Sequence, residues 1–266
     1  MLFQNTFLYS NKFDKQKNMI ICEVGLNHFG DINYANEYVE KIIRSNADAI
    51  LFHMREKSFY NKKENKMKIL PESFYINTIK KVHKKKLKFG ITLADADKIS
   101  FCESIGVDFY KILSHDIQNF NIIQKLLETK KPIFISTGFS DIDEINITYN
   151  FIKKFKNEIK FIHTQISPEL KNVNLKSISM LRKKFNMKIA FGNHCNNPKV
   201  LFLSLAYEPS DLFFYVKGNK RQIHQDESHA IELKHLKDFV SDLKILPQSI
   251  GTASKIKSKH QQFLYF

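Results

Sequence analysis

The sequence predicts a single (β/α)8 barrel, the α/β fold in which eight parallel strands alternate with eight helices. Eight short apolar runs alternate along the chain with eight segments of helical periodicity. The length of 266 residues fits the size of about 250 residues that is typical of this fold. The main alternative is a doubly wound open sheet. The absence of a G-x-G-x-x-G motif after the first strand weakens a dinucleotide-binding version of that alternative.

The predicted strands are short and almost entirely apolar, as expected for strands that are buried on both faces. They begin at Met19, Ala49, Lys88, Phe109, Lys131, Ile159, Met187 and Leu212. Two neighbouring runs end in polar residues, with Lys111 and Ser114 after one and Ser136 and Thr137 after the next. Because the loops after the strands carry the chemistry of a parallel α/β enzyme, these residues mark the candidate functional end.

Capping residues and helix breakers bound the predicted helices. Asp31 can cap a helix that runs to about Ser45, Pro71 can open one toward Lys86, and Gly106 can end another. The remaining helices are predicted at residues 99–105, 120–128, 141–156, 175–185, 198–206 and 232–244, and residues 55–70 are predicted to form a charged loop. By domain, the prediction is a polar N-terminal extension at 1–18, the barrel at 19–245 and a tail at 246–266.

The formal net charge of +15 raises the question of nucleic-acid binding, but the type of charge argues against it. Arginine, the preferred residue for bidentate phosphate and base contacts, occurs only at Arg44, Arg55, Arg182 and Arg221. The lysines are spread along the helices, which is typical of a solvated surface. We therefore expect no nucleic-acid partner and at most a mild attraction for anionic substrates.

Three further features bear on the compartment. The cysteines Cys22, Cys102 and Cys195 are scattered and odd in number, which suggests a reducing environment. No apolar run approaches the length that spans a membrane, and residues 1–18 lack the apolar centre of a secretory signal. The sequence therefore predicts a cytoplasmic chain with no membrane partner.

In a barrel the residues at the carboxyl ends of the strands converge on one face. That set comprises Glu23, Asn27, His28, His53, Thr92, Lys111, Ser114, Ser136, Thr137, Gln165, Asn193 and His194. A lysine with two serines can clamp an anion, and a glutamate with histidine neighbours can be a general base or a partner of a metal site.

Plainer interpretations of the same residues stay open. Glu23 is also compatible with a helix cap or a lysine partner, and His53 and His163 with core or rim positions. His194 suits either turn chemistry or ligation. No H-E-x-x-H, paired Cys-x-x-Cys or P-loop motif occurs to decide among these interpretations.

Six motifs in the same order resemble the sialic acid synthase family, which includes N-acetylneuraminate, pseudaminic acid and legionaminic acid synthases. The resemblance covers about residues 19–245. The motifs are Glu23-Val-Gly-Leu-Asn-His-Phe-Gly-Asp (family E-I-G-x-N-H-x-G-D), Ala47-Asp-Ala-Ile-Leu-Phe-His (A-D-A-V-K-F-Q), Lys111-Ile-Leu-Ser-His-Asp-Ile-Gln-Asn (K-I-x-S-x-D-I-x-N), Lys131-Pro-Ile-Phe-Ile-Ser-Thr-Gly (K-P-I-I-L-S-T-G), Thr164-Gln-Ile-Ser-Pro (T-N-I-Y-P) and Gly192-Asn-His-Cys (S-D-H-T).

The resemblance implies a barrel that condenses phosphoenolpyruvate with an N-acetylated amino sugar, in cell-surface glycan biosynthesis, with a divalent metal (manganese or magnesium). Lys111, Ser114 and Ser136 would then hold the phosphate and carboxylate of phosphoenolpyruvate. Glu23 would orient or deprotonate the sugar or water, and His194 would be both a catalytic residue and a metal ligand. Asn27, Thr92 and Gln165 are assigned to substrate binding with them. A homodimer is a further expectation.

The chain departs from the family pattern in several places. Val216 stands at the family's second metal histidine, Leu51 at a phosphate-binding lysine and Ser167 at a tyrosine. We expect weak or lost metal binding with a single imidazole, for which His53 or His224 could compensate. The resemblance also implies that the family's C-terminal antifreeze-like domain, which covers the sugar, is missing. The alternative function is therefore a divergent, non-catalytic barrel that acts as a binding subunit.

Overall fold

Nine strands make up the sheet that the computed structural model describes, over residues 18–219 and 223–251. The strands are β1 Met19–Gly25, β2 Ala49–Met54, β3 Lys88–Leu93, β4 Phe109–Ile112, β5 Ile133–Ser136, β6 Ile159–His163, β7 Ile189–Gly192, β8 Asp211–Lys217 and β9 Ile231–Glu232. Strands β1 to β8 pair in sequence order, all parallel, and β1 also pairs with β8. The predicted (β/α)8 barrel is confirmed.

The helices follow the strands around the outside of this barrel. They are α1 Ile32–Arg44, α2 Lys57–Tyr60, α3 Glu72–Lys84, α4 Ile99–Ile105, α5 Phe120–Glu128, α6 Ile142–Ile152, α7 Lys176–Phe185, α8 Lys199–Ser204 and α9 Leu236–Ile245. In the described part of the chain, no helix combines the length and apolar character needed to cross a bilayer.

The predicted caps are present in the structure. Asp31 accepts a hydrogen bond from the backbone of Tyr34 at the start of α1. Asp141 and Glu144 form a reciprocal capping box at the start of α6. Gly106 ends α4 with a φ of 85°, a conformation in which glycine avoids the strain of a side chain.

Three elements differ from the sequence prediction. The charged loop at 55–70 contains the short helix α2 and a 3-10 turn at Lys66–Lys68. The last helix begins at Leu236, because residues 231–232 instead form β9 against the end of β8. The chain turns out of α6 at Ile152, earlier than predicted. The predicted extension at 1–17, Arg221 and most of the predicted tail (252–266) lie outside the described residues.

The core has two shells because side chains alternate along each strand. Outward-facing residues pack against the helices, while the inner shell fills the barrel with Ile21, Ala49, Leu51, Phe109, Phe134, Ile162, Ala190 and Phe213. Gly90 on β3 leaves room for this filling, since a Cβ atom there would lie 2.3 Å from the ring of Phe109. The packed middle separates a polar layer at each end of the barrel.

The polar layer at the amino ends of the strands contains a buried ion pair. Lys160 Nζ lies 2.8 Å from Asp211 Oδ2, which also accepts a hydrogen bond of 2.8 Å from the Ser210 hydroxyl. Lys160 Nζ also lies 3.1 Å from Oε1 of Glu158, the residue before β6. We call Lys160 and Asp211 the basal ion pair of the barrel. Their hydrogen bonds are made within the protein, as expected of a structural element.

Candidate active site

The polar layer at the carboxyl ends of the strands, here called the mouth, is organised by a second ion pair. Lys111 on β4 reaches across the barrel to Glu23 on β1, with Nζ at 2.7 Å from Oε1 and 2.5 Å from Oε2. Both side chains are at least nine-tenths buried. The alternation of β1 and β4 dictates this meeting, because Glu23 and Lys111 follow the inward-facing Ile21 and Phe109 by two residues.

The environment keeps Glu23 ionised. Burial alone would raise the pKa of its carboxyl group, but the Lys111 ammonium and His53 more than offset this and lower the pKa to about 2. His53 on β2 lies 3.6 Å from Glu23 through its Nε2. Burial is the largest influence on His53 and lowers its pKa, so the imidazole is neutral at neutral pH.

Hydroxyl groups from the neighbouring strands surround this pair. Thr92 lies beside Lys111 in the β3–β4 register, and Ser136 ends β5. Both are buried, and the Thr92 hydroxyl has no hydrogen-bond partner in the described structure. Thr137 differs, because its hydroxyl donates to the backbone of Ile162 at 3.0 Å and holds the strand end. A buried hydroxyl without a partner, in register with a lysine ammonium on the next strand, suits an anion.

The other predicted residues divide into neighbours of the mouth and residues away from it. Asn27 is buried and ties two loops together, donating to Val216 O at 2.9 Å and accepting from the backbone of Asp226 at 3.4 Å. Ser114 lines a cavity of about 200 Å³ beside the ends of β4 and β5. Gln165 is exposed in the loop after β6. His163 faces outward as a core residue, with Nε2 at 3.0 Å from Val173 O.

The loop after β8 brings two side chains to the mouth that the sequence analysis did not select. Asp226 is largely shielded from solvent, with 14% of its side chain exposed, and lies close enough to Glu23 and Lys111 to interact with both charges. Desolvation, followed by the charge of Glu23, raises its pKa to about 7. His229 lies 3.7 Å from Asp226 through its Nε2, a buried atom that has no hydrogen-bond partner in the described structure. No motif marks these residues, so only the fold reveals them.

His194 projects from the loop after β7, where Asn193 fixes the turn through hydrogen bonds to the backbone of Cys195. Its ring centre lies 4.7 Å from that of His229 and 5.6 Å from that of Tyr215 on β8. Burial, and then the neighbouring His229, lower the pKa of His194 to about 3, and burial lowers that of His229 to about 4. Both imidazoles are therefore neutral at physiological pH, the form that binds metals.

The structure locates Val216 and the two histidines that were expected to compensate for it. Val216 is wholly buried in the outer core, and the inward-facing residue at that level of β8 is Tyr215. His224 does not compensate, because both of its ring nitrogens are engaged, at 2.8 Å from Tyr34 Oη and at 2.8 Å from Glu227 Oε2. His53 does lie at the mouth, beside Glu23 rather than beside His194.

A divalent cation fits this site in part. Among residues 18–219 and 223–251 there is no preformed group of three or more His, Cys, Asp or Glu side chains that could hold one. The neutral imidazole of His194 and the unpaired buried Nε2 of His229 nevertheless supply nitrogen donors. Two nitrogen donors are fewer than the three protein ligands that typical catalytic zinc sites supply, which agrees with the expectation of weak metal binding.

Comparison with known proteins gives consistent similarities. The chain is 26% identical over 251 residues to an uncharacterized protein of Methanocaldococcus jannaschii, covering 89% of this chain and 73% of that protein. It is 23% identical over 272 residues to the N,N'-diacetyllegionaminic acid synthase of Campylobacter jejuni, covering 93% and 81%. Its fold matches that of an N-acetylneuraminic acid synthetase from Leptospira borgpetersenii with a TM-score of 0.83 and 24% identity, covering 92% of this chain and 89% of that one.

The model of the NeuB family matches residues 39–255, which is most of the chain. Its named relatives include synthases of sialic, legionaminic and pseudaminic acids. These findings confirm the resemblance that the sequence motifs indicated. The chain belongs to the NeuB family.

Proposed function

We propose that this protein condenses phosphoenolpyruvate with an N-acetylated amino sugar to form a sialic-acid-like nonulosonic acid. The proposal rests on one observation above all: a lysine and a glutamate form a buried ion pair at the mouth of a NeuB-family barrel, among hydroxyls with unused hydrogen-bonding capacity. An ammonium in that setting suits a phosphorylated acid better than a neutral ligand.

The ion pair suggests how the substrates engage. An incoming phosphate or carboxylate would take the place of Glu23 on Lys111, with Ser136, Thr92 and Ser114 as hydroxyl donors. Glu23, released but still ionised, would then accept a proton from a sugar hydroxyl or from water. Carbon 3 of phosphoenolpyruvate would bond to the sugar aldehyde carbon, whose oxygen takes up a proton and becomes a hydroxyl. Water would then add at carbon 2, giving up a proton to Glu23, and phosphate would leave from carbon 2 to give the keto acid. His194 would hold a divalent cation, which supplies Lewis-acid polarisation of the aldehyde.

A specific observation also supports the alternative, a barrel that binds partners without catalysis. The Lys111 ammonium is already neutralised by both oxygens of Glu23, and both of these side chains are buried. A ligand must displace that carboxylate, which costs interaction free energy before any binding is gained. The same experiment separates the two functions.

The test is phosphate release from phosphoenolpyruvate by the full chain with Mn²⁺, using N-acetylmannosamine and a bacillosamine-type sugar in parallel. We expect release with one sugar and a rise of the melting temperature on adding phosphoenolpyruvate alone. Both should disappear in Lys111→Met and persist in Lys160→Met, a lysine equally buried at the opposite end. No release with either sugar and no thermal shift would overturn the catalytic proposal and favour the binding barrel.

A further inference from the structure

The lysines that are spread along the sequence gather at one end of the folded chain. Each outer helix runs back from the mouth, so its last turn and the segment leading to the next strand lie at the base, the end formed by the amino ends of the strands. Among the described residues, that region carries more than twice as many lysines and arginines as aspartates and glutamates. The described loops at the mouth carry no such excess. The positive charge of the chain is therefore concentrated on the basal face.

Two segments of the basal face are especially rich in lysine. Residues 80–88 at the end of α3 include six lysines, residues 153–156 after α6 include three, and neither segment contains a carboxylate side chain. All nine lysines are exposed. Within the described part of the chain, Lys81 alone among them forms an ion pair, with Glu40. The basal face therefore presents a group of ammonium charges that the described residues do not neutralise.

Helix stability accounts for only part of this pattern. A cation in the last turn of a helix is stabilised by the helix dipole, an effect that falls off within that turn. Lys86 and Lys130 lie beyond the ends of α3 and α5, and their backbones adopt left-handed φ values of 61° and 60°. Glycine or asparagine takes that conformation with less strain, so a lysine there indicates that its charge is useful on this face.

Exposed aliphatic side chains border the charged face. Helix α9 ends at the base, where Lys244 Nζ lies 2.8 Å from Oδ1 of Asp48, the residue before β2. Ile245 and Leu246 follow directly and are 56% and 42% exposed. The sequence continues through residues 252–266, which contain lysines and aromatic residues but no aspartate or glutamate. Lysines beside exposed apolar side chains are a combination that favours the interface of an anionic membrane.

We propose that the basal face docks on an anionic phospholipid membrane. A lysine ammonium is a compact point charge that interacts with lipid phosphates without a fixed geometry, whereas nucleic-acid contacts favour the bidentate guanidinium of arginine. The basic residues occupy the last turns of α1, α3, α5, α7 and α9, and so surround the end of the barrel instead of lining a groove. Such a distribution matches a flat anionic surface.

Docking through the base would leave the mouth facing away from the membrane, open to soluble ligands. This mode of binding needs no membrane-spanning segment, so the lack of a long apolar run in the sequence, on which the predicted absence of a membrane partner rests, does not conflict with it. The inference does not rest on the proposed function, because it uses no residue of the mouth.

The test is sedimentation of the full chain with vesicles of phosphatidylcholine and phosphatidylglycerol in equal parts, compared with vesicles of phosphatidylcholine alone. We expect binding to the anionic vesicles only, and its loss in about 1 M salt, where the Debye length falls to about 3 Å. Each lysine near an anionic surface contributes about fivefold to the partition coefficient. Lys84→Gln/Lys85→Gln/Lys86→Gln should therefore weaken binding by about 100-fold.

The matched control is Lys62→Gln/Lys63→Gln/Lys66→Gln, which removes the same charge from an exposed segment of the loop after β2, at the mouth. Screening leaves distant charges little influence on the membrane contact, so this variant should bind anionic vesicles within about threefold of the wild-type chain. Circular dichroism and melting temperature show whether both variants are folded.

Tryptophan fluorescence tests which end of the barrel meets the membrane, because the sequence contains no tryptophan. The emission of Ile245→Trp should shift to shorter wavelength when anionic vesicles are added, since the indole moves from water into the membrane interface. Met67→Trp is the control at the mouth, where the Met67 side chain is 78% exposed. Its emission should not change.

The inference would be overturned if the wild-type chain did not bind anionic vesicles, or bound phosphatidylcholine alone equally well. Equal losses in the basal and mouth triple variants, or a shift in Met67→Trp but not in Ile245→Trp, would also overturn it. Tighter binding to a mixed-sequence DNA duplex than to anionic vesicles at the same salt, lost in the basal variant, would overturn it in favour of a nucleic-acid partner. Membrane binding without phosphate release would support it while overturning the proposed activity, and release without membrane binding would do the reverse.

Discussion

The barrel holds a buried lysine–carboxylate pair at each end, and the two ends differ in what surrounds the pair. At the base, Asp211 receives Lys160 and Ser210, and Glu158 completes the contacts of the lysine. At the mouth, Lys111 and Glu23 are at least as close, but His53 Nε2 and the Thr92 hydroxyl near them have no hydrogen-bond partner in the described structure.

The unpaired atoms define the difference. Within the described residues, five buried side-chain atoms lack a hydrogen-bond partner, and they belong to His28, His53, Thr92, Thr164 and His229. All five residues lie at the carboxyl ends of strands or in the loops that follow them. The same type of ion pair therefore has its hydrogen bonds satisfied within the protein at the base, whereas at the mouth it lies among donors and acceptors without partners. Unused hydrogen-bonding capacity beside buried charge is a feature of functional sites.

The largest expected effect on stability comes from breaking the basal ion pair of Lys160 and Asp211. Lys160→Met leaves Asp211 buried without its counter-ion, so we expect the free energy of unfolding to fall by about 3–5 kcal/mol. The double variant Lys160→Met/Asp211→Leu removes both charges and should recover most of that loss. Urea unfolding followed by circular dichroism measures both changes. Equal stabilities of the single and double variants would show that the base is not a coupled pair.

The corresponding change at the mouth should act on activity. Lys111→Met removes the ammonium proposed to hold phosphoenolpyruvate, and we expect phosphate release to fall by about 10²–10³-fold, the usual cost of losing one preorganised electrostatic donor. Folded Lys160→Met protein, assayed at a temperature where it is stable, should release phosphate within about threefold of the wild-type rate, the range of context effects. Equal losses in both variants would erase the distinction between the ends.

Glu23 and Asp211 should contribute pH dependences of opposite sign to the free energy of unfolding in acid. The pKa of Glu23 is lowered from its ordinary value of 4.5 to about 2, so its contribution to stability is complete above pH 4.5 and declines as the pH falls toward 2. The pKa of Asp211 is raised, chiefly by burial and against the effect of Lys160, which gives the opposite slope.

Between about pH 4.5 and pH 3, Glu23→Gln should therefore remove about 2 kcal/mol of acid-induced loss of stability. Asp211→Asn should make that loss steeper. Urea midpoints at a series of pH values measure the slopes, and parallel slopes in the two variants would contradict the assignment.

The smallest expected effect concerns a single hydroxyl. Thr92→Val replaces a buried hydroxyl without a partner by a methyl group of similar size, so we expect a gain of about 1 kcal/mol in stability. Because that hydroxyl is proposed to contact the substrate acid, the KM for phosphoenolpyruvate should rise. Thr148→Val is the control, since the Thr148 hydroxyl is bonded to the backbone of Ile117 at 3.0 Å and its loss should destabilise the chain.

The sequence was sufficient to predict the barrel because its signals are local. Apolar runs, caps such as Asp31 and the breaker Gly106 mark each strand and helix without reference to the rest of the chain. The meeting of Glu23 and Lys111 at one end also followed, since strand order and alternation fix which side chains enter the barrel.

The loop after β8 could not be predicted in the same way. It has no periodicity or motif. The loop is held by a hydrogen bond from the backbone N–H of Asp226 to the side chain of Asn27, which lies 199 residues earlier in the sequence. Matching the family motif by position pointed to Val216, whose side chain the strand alternation turns outward. The position of the loop after β8 is set by three-dimensional packing, and spacing along the chain does not encode it.

Asn27 also has a consequence for how the chain matures. The side-chain amide of Asn27 donates a hydrogen bond to Val216 O and accepts one from the backbone N–H of Asp226. These partners lie 189 and 199 residues further along the chain. During synthesis, β1 leaves the ribosome long before the loop after β8 does, and translation proceeds at about 5–20 residues per second. Asp226 is synthesised 115 residues after Lys111, so for roughly 6–23 seconds at that speed the emerging chain carries both Glu23 and Lys111 without the loop after β8. A nascent polypeptide stalled before residue 226 would thus expose its most polar interior to chaperones.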